Sequence, residues 1–245
     1  MQIEEQKHYI KTGTGKKVIV FIHYFGGDAG SWKWMGEHLK KDCTCYFLNL
    51  PGFNNTTPLE TKTIAAFSEY INEAISHLNL EHYILCGHSM GAKLVAYAAA
   101  TSKNPPERLI LIAPSPPTVE KMPSEEKERM LKHPNKDEAI KTVKGVCVQQ
   151  LDEERFNYGV NSQLAIEDKT WDWWLEKGMG NDVSDIIKTG NTPATVICSQ
   201  DDPVIPMEWI ENEVKPYFKD LEVVVYKDLG HLIPMEAPRK LATTI

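Results

Sequence analysis

Ser89 stands in Gly87-His88-Ser89-Met90-Gly91, after the β-type run Tyr83-Ile84-Leu85-Cys86 and at the head of the alanine-rich stretch Met90 to Ala100. Glycines two residues before and after a serine allow a sharp strand-to-helix turn with the hydroxyl at its tip. The helix N-terminus behind it favours developing negative charge. A serine hydroxyl attacks a carbonyl only when a base takes its proton. His231, in Gly230-His231-Leu232 after the run Glu222 to Tyr226, is placed for that. The other seven histidines fit less well: His8 and His77 sit in polar surroundings, His38 and His82 flank elements, and His133 lies in an irregular central region. His88 should point away from its neighbour, and His23 should brace a loop. The base in turn needs a carboxylate to hold its tautomer. Asp201 and Asp202 both qualify in Ser199-Gln200-Asp201-Asp202-Pro203, and Asp228 is a third candidate of less weight. The oxyanion of such a reaction needs backbone N–H donors. Met90 supplies one by position, and the loop His23-Tyr24-Phe25-Gly26-Gly27 supplies the other, placed at Phe25.

These residues must be held by a scaffold. Short apolar β-rich runs alternate with helical patterns, which marks a parallel sheet covered on both faces. The runs are Val18–Ile22, Thr44–Leu50, Tyr83–Cys86, Leu109–Ile112, Thr195–Cys198 and Glu222–Tyr226, with Gly13-Thr14-Gly15 read as a hairpin turn before the first. Ile64, Phe67, Ile71, Ile75 and Leu78 recur at helical steps. The alternation breaks at Pro114-Ser115-Pro116-Pro117, and residues 114–191 contain only polar-faced helical patterns, with Ser124 as an expected N-cap. The expected organisation is a core of residues 1–113 and 192–245 with a helical cap inserted at 114–191. Trp32, Trp171 and Trp174 are candidate substrate-binding residues, and Trp34 and Met35 extend the segment around the first.

Composition narrows the partners. A formal charge of -7, without any basic run, argues against nucleic acid. No apolar stretch is long enough for a bilayer span, and the first residues lack an apolar leader core, so a cytoplasmic protein without membrane contact is expected. The five cysteines, Cys43, Cys45, Cys86, Cys147 and Cys198, form no CxxC pair and read as small buried hydrophobes in a reducing compartment. No His or Cys pair has metal-ligand spacing, and the chemistry calls for no cofactor. The expected partner is a small-molecule ester. The oligomeric state is not readable.

The assembled segments resemble the α/β-hydrolase superfamily over nearly the full length, and within it the small bacterial esterase, lactonase and haloperoxidase-like group. The resemblance rests on His23 to Gly27, Pro51-Gly52, Gly87 to Gly91, Asp202-Pro203-Val204-Ile205-Pro206, and Gly230-His231-Leu232 with Glu236-Ala237-Pro238 behind it. It implies an α/β-hydrolase fold, a cap inserted where the alternation breaks, and Asp202 as the acid, because the family's acid precedes an apolar-Pro pair. Three positions depart from the family pattern: Tyr24 and Ser199 stand where glycine is usual, and Asn49 where aspartate is common. The implied activity is cleavage of a carboxylic ester, thioester or lactone through an acyl-enzyme. A receptor with slow turnover, or a lyase or perhydrolase using the same serine, are the alternatives.

Overall fold

The computed structural model describes residues 4–245. Its centre is a seven-stranded sheet in the order β1-β3-β2-β4-β5-β6-β7. The strands are β1 (Tyr9–Thr12), β2 (Lys17–Ile22), β3 (Cys43–Leu48), β4 (Ile84–His88), β5 (Arg108–Ile112), β6 (Ala194–Ser199) and β7 (Leu221–Tyr226). Only β1, paired with β3, runs antiparallel; every other neighbouring pair is parallel. The apolar runs are continuous because both faces are covered. Along β2, Val20 and Ile22 enter one core and Ile19 and Phe21 the other. The first core receives α2 (Ile64–His77) and α3 (Met90–Thr101), the second α1 (Lys33–Leu39) and the C-terminal α11 (Pro238–Thr244).

Two local expectations are corrected. Gly13-Thr14-Gly15 is not a hairpin turn, because β1 pairs with β3 rather than with β2. These residues carry the chain past the turn before β3, and a Cβ on Gly13 would lie 2.1 Å from the Cys43 carbonyl oxygen. Ser124 is the first residue of its helix rather than the cap; Pro123 takes the cap position and no side chain caps the end.

Between β5 and β6 the described residues form no strand. They hold α4 (Ser124–Met130), α5 (Lys136–Val146), α6 (Glu153–Leu164), α7 (Asp168–Trp173) and α8 (Ser184–Ile187). Helices α5 and α6 pack through Ala139, Val143 and Val160 onto Tyr24, Leu232 and Met235. These helices therefore sit on the loops at the C-terminal ends of β2 and β7. After β6 follow α9 (Met207–Trp209), which continues as a wider turn, and, after β7, α10 (Ile233–Glu236).

Parallel strands share one C-terminal edge, where open α/β sheets assemble their sites. The loops carrying Phe25, Ser89, Asp202 and His231 all leave strands at that edge, so residues far apart in sequence meet there. No helix among the described residues is long and apolar enough to cross a membrane. All five cysteines are free.

Candidate active site

Ser89 joins β4 to α3 with φ 54° and ψ -119°, a conformation that costs a non-glycine residue about 1–3 kcal/mol. The turn is fixed from both sides. Ser89 N–H donates to the Ile112 carbonyl at 2.9 Å, and the Ser89 carbonyl accepts from Ala92 N–H at 2.9 Å. The flanking glycines are required by close approach. A Cβ on Gly87 would lie 2.4 Å from the Gly91 carbonyl oxygen, and one on Gly91 would lie 2.5 Å from the carbonyl oxygens of Ile22 and His23. Backbone atoms of a central strand cannot step aside. Gly91→Ala should therefore destabilise the protein by about 3 kcal/mol or more, the upper end for overpacking. A urea midpoint unchanged from wild type would contradict that crowding.

A chain of hydrogen bonds runs from the turn to the acid loop. Ser89 Oγ–H donates to His231 Nε2 at 2.8 Å, and His231 Nδ1–H donates to Asp202 Oδ2 at 2.9 Å. The other oxygen of Asp202 accepts from Val204 N–H at 2.8 Å and Ile205 N–H at 3.1 Å. Burial works against ionisation of Asp202, yet the His231 charge and these hydrogen bonds outweigh it and hold the carboxyl below its ordinary range. Burial likewise works against protonation of His231. The charge and hydrogen bond of Asp202, with Glu120 and Glu236 beyond, still hold the imidazole above its usual 6.5. Asp201 is exposed and accepts from Asp228 N–H at 2.8 Å, so neither it nor Asp228 joins the chain. Of the carboxylates weighed from sequence, Asp202 is the one that meets His231.

The remaining histidines near the site are structural. His88 Nε2–H donates to the His231 carbonyl at 2.8 Å, and its burial lowers its pKa to about 3. It is a neutral prop beneath the His231 loop. His23 is lowered to about 4, chiefly by burial. Its Nδ1–H donates to the Tyr24 carbonyl, and its Nε2 accepts from Leu50 N–H. His133 stacks on Trp171.

The three departures from the family pattern brace loops. Ser199 Oγ–H donates to the Leu229 carbonyl at 2.6 Å, tying the acid loop to the histidine loop. Asn49 Oδ1 accepts from Ala29 N–H at 2.8 Å and steadies the segment after Gly27. The Tyr24 ring lies over its own loop: a Cβ on Gly27 would fall 2.4 Å from Tyr24 Cε1, so the wedge accepts only glycine there. The backbone N–H groups of Phe25 and Met90 have no protein acceptor among the described residues.

Above Ser89 and His231 opens a cavity of about 480 Å³, a size suited to a small molecule. Its apolar wall includes Tyr24, Phe25, Met122, Met130, Val143, Trp171, Trp174, Val204 and Leu232; Glu120 and Gln163 add polar groups. Trp171 is sandwiched between Phe25 at 4.2 Å and His133 at 4.4 Å, and its indole N–H donates to the Met130 carbonyl. Trp171 and Trp174 thus both line this cavity.

Trp32 does not. It is 1% exposed and packs on Phe21 at 5.0 Å, in the core on the opposite sheet face, in a T-shaped contact with His88. The turn Ala29–Trp32 points the ring under the sheet rather than over the site. Met35 is buried in the same core, and Trp34 packs on Tyr158 outside the cavity. Glu120, Met122, Val204 and Gln163 are wall residues that sequence reasoning missed. The first two carry no motif, although Val204 lies two residues after the acid and was within reach.

Among the described residues no group of three or more His, Cys, Asp or Glu side chains could hold a metal ion. Comparison with known proteins bears on the fold and on part of the chain. A family model described as the alpha/beta hydrolase fold matches residues 17–138. The dihydrolipoyllysine-residue acetyltransferase component of the acetoin cleaving system of Cupriavidus necator is 30% identical over 106 residues, 43% of this chain and 28% of its own length. The 2-succinyl-6-hydroxy-2,4-cyclohexadiene-1-carboxylate synthase of Citrobacter koseri is 27% identical over 85 residues, 35% of this chain and 33% of its own. The chain thus spans about a third or less of these two relatives. The solved structure of an esterase from Exiguobacterium antarcticum superposes with a TM-score of 0.88 at 16% identity, covering 96% of this chain and 92% of that one.

Proposed function

This chain belongs to the α/β-hydrolase superfamily, and from that premise we propose that it is a serine hydrolase that cleaves a small carboxylic ester, thioester or lactone through an acyl-enzyme. The observation that carries the reading is the continuous Ser89–His231–Asp202 hydrogen-bond chain facing a cavity of small-molecule size. In this mechanism Ser89 Oγ attacks the carbonyl carbon while its proton passes to His231 Nε2. Asp202 holds the Nδ1–H tautomer and stabilises the imidazolium that forms. The free N–H groups of Phe25 and Met90 receive the oxyanion. His231 then gives its proton to the leaving alcohol, and water, activated by the same imidazole, releases the acid. Residues 114–191 serve as the cap, whose Trp171 and Trp174 line the binding pocket.

A fluorophosphonate should add one phosphonyl group to the protein, located on Ser89 by peptide mass spectrometry. Absence of labelling on folded protein, or labelling elsewhere, would sink the acyl-enzyme reading. Product analysis separates ester cleavage from lyase or perhydrolase chemistry, because only the first yields the free acid and alcohol in equal amounts. Brisk multiple turnover would exclude a slow-turnover receptor.

The pH dependence has a definite sign. Only neutral His231 can take the serine proton, so activity belongs to the deprotonated form. The imidazole is held above 6.5. The acid limb of kcat/KM should accordingly have its midpoint above that value and fall roughly tenfold per pH unit below it. A profile flat from about pH 5 to pH 8 would contradict the role.

A further inference from the structure

The cavity contains a carboxylate that takes no part in the proton transfers of the hydrolytic mechanism. Glu120 follows the Pro114–Pro117 segment after β5 and is only 9% exposed, yet it lines the same cavity as Ser89 and His231. Its backbone is anchored by donation from Glu120 N–H to the Met179 carbonyl at 2.9 Å. One carboxylate oxygen, Oε2, accepts from Ser115 Oγ–H. Ser115 is in turn held at the turn itself, its N–H donating to the Ser89 carbonyl at 3.2 Å. The other oxygen of Glu120 has no protein donor among the described residues and is not sealed from the cavity.

A carboxylate that shares a largely apolar cavity wall is costly to bury, and burial does raise its pKa. Lys93 lessens that cost from behind. Lys93 is 1% exposed and its ammonium donates to the carbonyls of Thr118 at 2.9 Å and Met179 at 3.4 Å, so it faces the protein rather than the cavity. Lys93 thus offsets part of the burial cost, and the free oxygen of Glu120 remains an acceptor on the cavity. At the rim Arg129 pairs with Glu126 and Glu138, and Lys141 with Glu138, so those cations add no free charge to the cavity.

We propose that Glu120 is a specificity-determining residue that accepts a hydrogen bond from a neutral hydroxyl or amide N–H carried by the substrate, so the preferred ester is a hydroxylated or amide-bearing one rather than a plain alkyl ester. The proposal rests on the ester-hydrolase reading for the identity of the bond cleaved, but its readout is binding. A substrate carboxylate would meet Glu120 as a like charge, and a plain alkyl group would leave the acceptor desolvated and unpaired. A site built around a buried acceptor discriminates strongly against ligands lacking the donor.

The test titrates the full chain carrying Ser89→Ala with four probes of similar size: ethyl butyrate, ethyl 3-hydroxybutyrate, 2-hydroxyethyl butyrate and monoethyl succinate. At least one hydroxylated ester should bind roughly ten- to hundredfold tighter than ethyl butyrate. The better of the two identifies whether the donor belongs on the acyl or the alcohol side. The ratio should fall to near one when Glu120→Ala is added, whereas Glu120→Gln, which keeps an acceptor oxygen, should retain part of it. Thermal melts of both variants establish that they are folded, and the Gln variant carries the test if the Ala variant is not. Equal binding of all four probes, tightest binding of monoethyl succinate, or a preference that survives loss of the acceptor overturns the proposal. Failure of the wild-type chain to hydrolyse any ester would instead defeat the hydrolase reading, while the binding ratios would still decide the role of Glu120.

Discussion

Replacing Ser89 with alanine should lower kcat for a short-chain p-nitrophenyl ester by roughly 10⁴–10⁶-fold, with KM changed far less. The expectation follows from geometry. Among the described residues the hydroxyl is the one nucleophile in hydrogen-bond contact with His231 Nε2, at 2.8 Å, and it lines the cavity. Residual catalysis of about 10³–10⁴ over water should persist, because the Phe25 and Met90 N–H groups still polarise the carbonyl. Folding should barely register the change, since alanine keeps the strained φ of 54° and loses one hydrogen bond. Glycine supplies an internal control. Ser89→Gly is equally inactive but relieves the strained backbone, so it should be more stable than Ser89→Ala by about 1–3 kcal/mol. Retention of full activity in either variant would remove Ser89 from the mechanism. Equal stabilities would show instead that the turn stores no strain.

The site was legible where chemistry and backbone geometry constrain the same few residues. Gly87 and Gly91 are demanded by carbonyl oxygens that a Cβ would strike, and the serine between them is thereby marked. His231 and the acid loop follow strands whose continuous apolar runs fix their place in a parallel sheet, and parallel strands deliver their loops to one edge. The family model and the superposition agree with that α/β reading. Strand β1 was missed because Tyr9–Thr12 is short and half exposed, and its partner β3 lies beyond the intervening β2 in sequence. Trp32 was misplaced because spacing cannot say which sheet face a turn enters. The turn Ala29–Trp32 sends it beneath His88, where it packs rather than binds. Glu120 was invisible for a further reason. A glutamate beside a lysine in a proline-rich connection looks like a solvated surface group, and only its tertiary hydrogen bonds to Ser115 and Met179 hold it inward.

The second large effect concerns the acid. Asp202→Asn should lower kcat by about 10⁴-fold, whereas Asp201→Asn should change it by no more than about twofold. The reason lies in what surrounds each carboxylate. Asp202 Oδ1 accepts from the N–H groups of Val204 and Ile205, which cannot donate to an amide NH₂. An asparagine there must keep its oxygen on that side and turn its NH₂ toward His231 Nδ1. The imidazole must then accept at Nδ1 and carry its proton on Nε2, where it faces Ser89 Oγ as a donor and can no longer take the serine proton. Asp201 has no such constraint: it is exposed, and asparagine can still accept from Asp228 N–H. Asp228→Asn should be similarly mild, because its backbone φ of 60° is one that asparagine tolerates. Steady-state kinetics of the three variants decide the matter. A severe loss in Asp201→Asn with a mild one in Asp202→Asn would mean that the working geometry of the acid loop differs from the one in which Asp202 meets His231 at 2.9 Å. The predicted order would tie the rate to a tautomer, and the tautomer to two backbone N–H groups that never touch the substrate.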